Sequence, residues 1–480
     1  MPFEAIPGPT PLPILGNLWR YVPVIGDYRV ETLFENAQFN RQRYGPIVRE
    51  QLTADHTILH LFDPDDIESF FRQDGKEPYR RSHRALHKYR QSCPEHYKDG
   101  GVFPENGPRW SRLRSIFQRH ILNKTKIAQR APILDDGVIK FIANLDNLGV
   151  EQPDTSVTRI NNFEELLQKW SLTCSLAILL DYEFDAMPSD EILDELSHYL
   201  HEELAAIDYT ELKSESWVKQ PAKCPYYQRL IKSEKFLYKF VSKRLDYLNE
   251  SPQAMREVSF IKDWLQEDKL HRHDIISFVL DSVMASFHTM IYTTTFMLKN
   301  ISECRPETNL TLRGEVEDNL PPASLGPVGR DVSDVMPFLK DCLRETLRLN
   351  PVSIGTGRLT QHEEMLIRGY SVPKNVMVIA QTQAICRDHE IFEQADDFKP
   401  ERWAEYRRRP RPDRPSAFAW LPFGFGPRTC MGKRLVNLQV CTLVARMLQR
   451  FSEIEFKKEI ETKTTMIHNV VGHVEIELKK

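Results

Sequence analysis

The residues best suited to chemistry in this 480-residue chain lie near its C-terminus, in Phe423-Gly-Phe-Gly-Pro-Arg-Thr-Cys430-Met-Gly432. Two glycines and a proline force a tight turn, Arg428 stands two residues before a single cysteine, and Gly432 opens a helical pattern beginning Lys433-Arg434. A sulfur at a helix N-terminus beside a guanidinium is expected to lean toward thiolate, because orphan amides and the cation both favour the negative form. Thiolates bind metals. One isolated cysteine cannot build a zinc or iron–sulfur site, which takes several ligands, but it suffices as the sole protein ligand of a haem iron. The other seven cysteines, at 93, 174, 224, 304, 342, 386 and 441, form no C-x-x-C pair, so the plain expectation is a reducing compartment with free thiols.

The pattern F-x-x-G-x-R-x-C-x-G resembles the haem-binding signature of the cytochrome P-450 superfamily at every fixed position, through Phe423, Gly426, Arg428, Cys430 and Gly432. The resemblance implies haem b (iron protoporphyrin IX) with Cys430 as axial ligand. It also implies a mainly α cytochrome P-450 fold, a large helical domain with a small β-rich region and the haem between the I and L helices. A thiolate ligand favours cleavage of bound dioxygen, so the implied activity is a monooxygenase. Trp110 and Arg114, four apart and therefore on one helix face, are similar to the family's C-helix pair that reaches a haem propionate. Arg358 and Arg428 fall where the family places further propionate-binding arginines.

A long, mostly apolar helix is predicted from His273-Asp274 through Asn300, the natural one to cross the core. It aligns with the family's I helix, whose oxygen-activation motif A/G-G-x-D/E-T is here Ala285-Ser286-Phe287-His288-Thr289. The resemblance makes Thr289 the hydroxyl that manages protons, while Ser286 replaces the helix-distorting glycine and His288 the acid. Two accounts are open. In one, His288, with an ordinary pKa of about 6.5, takes over the proton relay and makes turnover pH-sensitive. In the other, oxygen activation is unused and the protein is a haem-thiolate isomerase or dehydratase. A third reading, from another class, is a non-catalytic haem protein that binds a lipid or gas.

The elements that must position these residues are legible in outline. Residues 333–349 read as an amphipathic helix capped by Ser333 or Asp334 and stopped before Pro351, carrying Glu345 and Arg348 at i, i+3. With Pro400-Glu-Arg402-Trp403 they resemble the E-x-x-R and P-E-R-F/W motifs, which implies a buried Glu345–Arg348–Arg402 network fixing the loop that holds Cys430. Lys340 and Arg344 lie one turn apart on that helix, and with Lys433, Arg434 and the arginines at 407–409 they would form a basic patch. Net charge is −4, which argues against a nucleic-acid binder, so a local positive face suggests steering of an acidic partner. The patch resembles the mitochondrial branch of the family and implies a [2Fe-2S] ferredoxin of the adrenodoxin type with its NADPH reductase.

Residues 1–27, with Ile6-Pro-Gly-Pro-Thr-Pro-Leu-Pro, read as a stiff proline-rich hinge ahead of a single domain over 28–480. An amphipathic helix is predicted over 29–44, strands over 47–52 and 57–62, and a hairpin from Leu366 with Pro373-Lys374-Asn375 as its turn. The basic run 79–91 reads as a solvated helix face, although the family resemblance implies a place near the substrate channel, and 406–415 reads as irregular. Long helices fill 126–265, broken at Gln220-Pro-Ala-Lys-Cys-Pro, after which Tyr226 and Tyr227 would suit a peripheral membrane contact. No apolar run is expected to span a bilayer, residues 170–180 reading as core helix. Residues 80–97 and 107–117 are similar to arthropod mitochondrial enzymes, including ecdysteroid hydroxylases of the shade and disembodied type, and insect xenobiotic-metabolising members look much alike. The implied substrate is apolar and steroid-sized. The implied location is the matrix side of the mitochondrial inner membrane, with the endoplasmic reticulum, anchor removed, as the alternative.

Overall fold

Apolar residues recurring with a 3.6-residue period fold into the helices of a computed structural model that describes residues 1–22, 24–148, 157–213 and 216–480. In chain order those used below are α1 (Leu33–Tyr44), α2 (Pro64–Gln73), α3 (Arg84–Gln91), α4 (Gly107–Ile121), α5 (Ala131–Leu148) and α6 (Phe163–Leu179). They continue as α7 (Asp190–Asp208), α8 (Pro225–Glu250), α9 (Arg272–Ser302), α10 (Pro337–Leu349), α11 (Glu401–Arg408) and α12 (Lys433–Arg450). The predicted central helix is α9. It starts in a reciprocal capping box between His271 and Asp274, and it packs against α6, α8, α10 and α12. By length and composition α9 would also span a bilayer, which corrects the expectation that no segment reaches that length, yet most of it is enclosed by those neighbours.

The β region sits to one side of this helical core. Strands β1 (Ile47–Gln51), β2 (Thr57–Leu61), β4 (Thr356–Leu359) and β7 (Met377–Ala380) form one sheet in the order β1-β2-β7-β4. Between β2 and β4 in the chain comes β3 (Val157–Ile160), which joins β8 (Glu453–Phe456) and the C-terminal strand β9 (Ile476–Lys479) in a second sheet. Pairing β4 antiparallel to β7 sets Arg358 opposite Val378, so its buried side chain leaves the sheet at a fixed height. Ile67, Phe70, Leu59 and Val378 fill a separate apolar core beneath this sheet. Asp63 caps α2 by accepting from the N–H groups of Asp65 and Asp66, as its sequence suggests. The proline-rich opening lies along β1, where Arg49 N–H donates to Pro7 O at 2.8 Å.

Several local expectations are corrected. The hairpin is β5 (Glu364–Ile367) with β6 (Tyr370–Pro373), turning at Arg368-Gly369 rather than at Pro373-Lys374-Asn375. Both turn residues have positive φ, +49° and +79°, the geometry whose twist matches the flanking strands. Pro337 splits the segment 333–349, so Asp331 caps a short turn, Val332–Val335, and α10 starts afresh at Pro337. Helix α1 begins at Leu33, and α11 runs on through Arg408 before the chain becomes irregular. Tyr227 is buried against Trp217 and half-buried Tyr226 stacks on Tyr209 at 3.9 Å, so Tyr227 serves helix packing and is not free for a membrane contact. The basic run 79–91 is only in part a solvated face: Lys88 and Gln91 are exposed, but Arg90 is buried along with Ala85, Leu86 and Tyr89.

Candidate active site

Two left-handed glycines, Gly424 at φ +69° and Gly426 at φ +72°, shape the loop before α12. They allow Cys430 N–H to donate to Phe423 O at 2.9 Å and Thr429 N–H to Gly426 O at 3.0 Å. Gly432 is the N-cap of α12, so its own N–H and that of Lys433 point at the Cys430 sulfur. That sulfur lies deep in the molecule but keeps accessible surface, and therefore borders an interior space. Burial raises the thiol pKa, opposed by the two amides and by the charges of Arg114 and Arg80. The sequence argument is corrected twice here: desolvation outweighs the helix terminus, and the cationic pull comes from Arg114 and Arg80 rather than Arg428.

Four guanidinium groups converge on this space. Arg428 stands with its Cζ 3.7 Å from the centre of the Trp110 ring and donates to Pro78 O, Glu105 O and Asn106 Oδ1, while its Nη1 is buried without a partner. Burial and the charges of Arg80, Arg358 and Arg114 push its pKa down to about 8. Arg114 donates to Thr429 O at 2.5 Å, which ties α4 to the cysteine loop, and burial lowers its pKa to about 10. Arg80 sits at about 10 for the same reason, with Arg358 and Arg114 adding repulsion. Arg358 alone has a carboxylate, Asp74, on its Nε at 3.1 Å. Such mutual repulsion calls for an anion. Haem b fits: its two propionates would answer Arg80, Arg114, Arg428 and the free edge of Arg358, and its iron the Cys430 sulfur. Arg80 was missed in the sequence because a basic run gives no sign of which member turns inward.

The Glu345 network forms as the motifs imply, and its side chains are fully buried. Arg348 donates to both Glu345 oxygens at 2.8 and 3.1 Å, Arg402 adds a bond at 2.9 Å, and Trp403 Nε1 a fourth at 3.0 Å. The two guanidiniums then bind the carbonyls of Cys386, Ala395, Asp397, Glu393 and Gln394. The network therefore grips the segment 386–397 directly, and reaches the cysteine loop through Trp403 against Trp420 and Cys386 Sγ on Ala419 O.

Along the otherwise buried α9, Ser282, Ala285, Ser286 and Thr289 keep accessible surface while Val283, Met284, Phe287, His288 and Met290 do not. Positions 282, 285 and 289 are one helical stripe, so Thr289 faces the open side. Its Oγ1 donates to Ala285 O at 2.7 Å. Ser286 meets Ser175 of α6 at 2.9 Å. His288 lies off the stripe, edge-on to His201 of α7 with ring centroids 4.8 Å apart, and burial lowers its pKa well below 6.5. A histidine kept neutral and turned toward α7 does not titrate near neutral pH, which corrects the expected pH-sensitive relay.

Lys340, Arg344, Lys433 and Arg434 do come together: burial and the charges of Arg344, Arg434 and Lys340 lower the pKa of Lys433. Arg407 joins them from α11 by chelating Asp341 at 2.6 and 2.8 Å.

The family model Cytochrome P450 matches residues 6–477. The chain is 29% identical to Cytochrome P450 302a1, mitochondrial, of Drosophila melanogaster, over all of this chain and 95% of that protein. It is 28% identical to Ecdysone 20-monooxygenase of the same fly, over 95% of this chain and 85% of that one. With 1,25-dihydroxyvitamin D(3) 24-hydroxylase, mitochondrial, of Mus musculus it shares 26% identity, over 95% and 85% of the two chains. A match across nearly the whole length, added to a thiol and an arginine cradle suited to haem b, places the chain in the cytochrome P450 family as a haem-thiolate monooxygenase.

Proposed function

We propose that this monooxygenase is mitochondrial, on the matrix side of the inner membrane, and hydroxylates an apolar, ecdysteroid-like substrate with electrons from a [2Fe-2S] ferredoxin. The observation that carries the haem chemistry is the convergence of Arg80, Arg114, Arg358 and Arg428 beside the interior Cys430 thiol. When bound, the haem supplies dioxygen activation, with two electrons arriving singly and one oxygen atom entering a substrate C–H bond. Cys430 would supply the sulfur that holds the iron, and the arginines would neutralise and orient the propionates. Thr289 offers a hydroxyl from the open stripe of α9 to hold or pass a proton. The Glu345 network keeps the segment beneath the cysteine loop from shifting.

The relatives' printed names, two of them marked mitochondrial and two naming a steroid-type substrate, support the substrate class and location. The cationic group around Lys433 supports an acidic electron donor. The test is turnover of an ecdysteroid and sterol panel with an adrenodoxin-type ferredoxin, its reductase and NADPH, read by mass. A product heavier by one oxygen atom is expected. No product on protein with a normal thiolate carbon-monoxide spectrum would overturn the substrate class or the donor and leave the haem site standing.

A further inference from the structure

His83 is the residue immediately before α3, and its backbone is left-handed at φ +58°, uncommon for a residue with a side chain. Conformational outliers of this kind persist where the surroundings enforce them, and they cluster at ligand clamps. Here the enforced turn carries the imidazole onto Phe103, ring centroids 5.3 Å apart and planes at 21°. Phe103 N–H donates to Asp281 of α9 at 3.0 Å, and Arg90 of α3 holds the same carboxylate at 2.7 Å. The ring is thereby fixed against the central helix, one turn ahead of Ala285 on the open stripe. Arg80 is near enough to disfavour the protonated ring, and its own guanidinium feels the charge of Cys430. His83 is thus tied to α9 through Phe103 and stands near the arginine cradle through Arg80.

The imidazole is deep in the molecule yet keeps accessible surface, so it too borders the interior space. Neither ring nitrogen has a hydrogen-bond partner among the described residues, and Nδ1 is buried outright. Burial, with Arg80 and Arg90 adding repulsion, lowers its pKa to about 3, so the ring stays neutral with one N–H and one lone pair. Arg90 is already committed to Glu234 and Asp281, and Arg80 belongs to the propionate cradle. What remains for a ligand is a neutral donor–acceptor beside the Phe103 ring.

Resting on the monooxygenase reading above, we propose that His83 anchors one hydroxyl or carbonyl oxygen of the substrate, so that the lipid this enzyme accepts is already oxygenated at a site remote from the attacked carbon. A neutral oxygen matches the ring's single donor and single acceptor, whereas an ammonium group would be repelled by Arg80 and Arg90. A pure hydrocarbon would leave both nitrogens unpaired, the situation that gives hydrogen-bonding sites their discrimination. The reaction that precedes this one is therefore of a class that installs or retains an oxygen on the lipid.

Haem-loaded His83→Phe keeps a ring on Phe103 and removes both nitrogens, while His83→Asn tolerates the left-handed turn and returns a donor and an acceptor. Binding is read from the displacement of the Soret band, with ecdysone and 25-hydroxycholesterol as oxygenated probes and 5α-cholestane as the hydrocarbon. His83→Phe should weaken both oxygenated probes roughly 10- to 100-fold, leave 5α-cholestane unchanged or bound more tightly, and be partly rescued in His83→Asn. Equal weakening of all three probes, or none, would overturn the assignment of His83. Wild-type protein with a normal thiolate carbon-monoxide spectrum that binds neither oxygenated probe overturns the oxygenated-lipid class, whereas absence of that spectrum would instead sink the monooxygenase reading itself.

Discussion

Individual side chains here are tuned mainly by desolvation. Arg428 carries a guanidinium at about 8 because three like charges surround it in a dry site. Neutralising Arg80 should therefore relieve its neighbours in the empty cradle and weaken the filled one. Arg80→Gln is expected to speed haem loss about tenfold, measured by transfer to apomyoglobin, while raising the thermal stability of the haem-free protein. His288 gives a second case. Its folded pKa lies below the ordinary 6.5, so between those values the unfolded chain binds the extra proton. Its contribution to stability is complete above about pH 6.5 and is lost as pH falls toward the folded value. His288→Phe should flatten that acid-side decline by on the order of 1 kcal/mol per pH unit in thermal unfolding. Product formed per NADPH should show no step near pH 6.5 in the parent enzyme, the outcome that separates a packed histidine from a titrating relay.

Between elements, charge is buried where helices must keep a fixed relation. Glu345 joins α10 to α11 and to the segment that follows β7, and every oxygen it has is bonded. Glu345→Gln leaves two buried guanidiniums without their anion and should cost about 3–5 kcal/mol in denaturant unfolding, with loss of haem retention. A second junction joins α3, α7, α8 and α9. Arg90 binds Glu234 and Asp281, Tyr97 donates to Glu234, and Glu203 shares a hydrogen bond with Glu234. Burial and the neighbouring Glu234 hold the Glu203 carboxyl well above its ordinary range, so it stays protonated. A raised carboxyl stabilises fully below its unfolded pKa, near 4.5, and that stability is lost as pH rises toward the folded value. Glu203→Gln keeps the hydrogen bond without the titration, so its stability relative to the parent should grow from pH 5 to pH 8 in thermal melts.

For the whole molecule, a net charge of −4 with three other cations gathered around Lys433 makes an uneven field. Such a field raises association rates with an acidic partner and fades with salt. The double variant Lys340→Glu with Lys433→Glu should slow reduction by the ferredoxin about tenfold or more at low ionic strength, and less at high. Reduction by dithionite should be unaffected, because no protein partner is steered.

The cysteine loop, the Glu345 motifs, α9 and the strands β1 and β2 were legible in the sequence because each rests on local rules: turn glycines, helical period, caps and fixed spacing. The site residues contributed by those motifs were legible for the same reason. What failed were judgments of direction. Arg80, His83 and Arg90 stand in one basic run, yet the first two border the interior space and the third is buried in a salt-bridge network, because a left-handed backbone at His83 turns the run inward. Likewise His288 follows Phe287 on α9 but meets α7 rather than the open stripe, which depends on how two helices are rotated about their axes. The sequence by itself determined the presence and type of the main elements, though not all of their limits, and that a cysteine is presented at a helix start. Only the tertiary structure decided which charges share a dry space, because desolvation and mutual repulsion depend on distances between segments far apart in the chain.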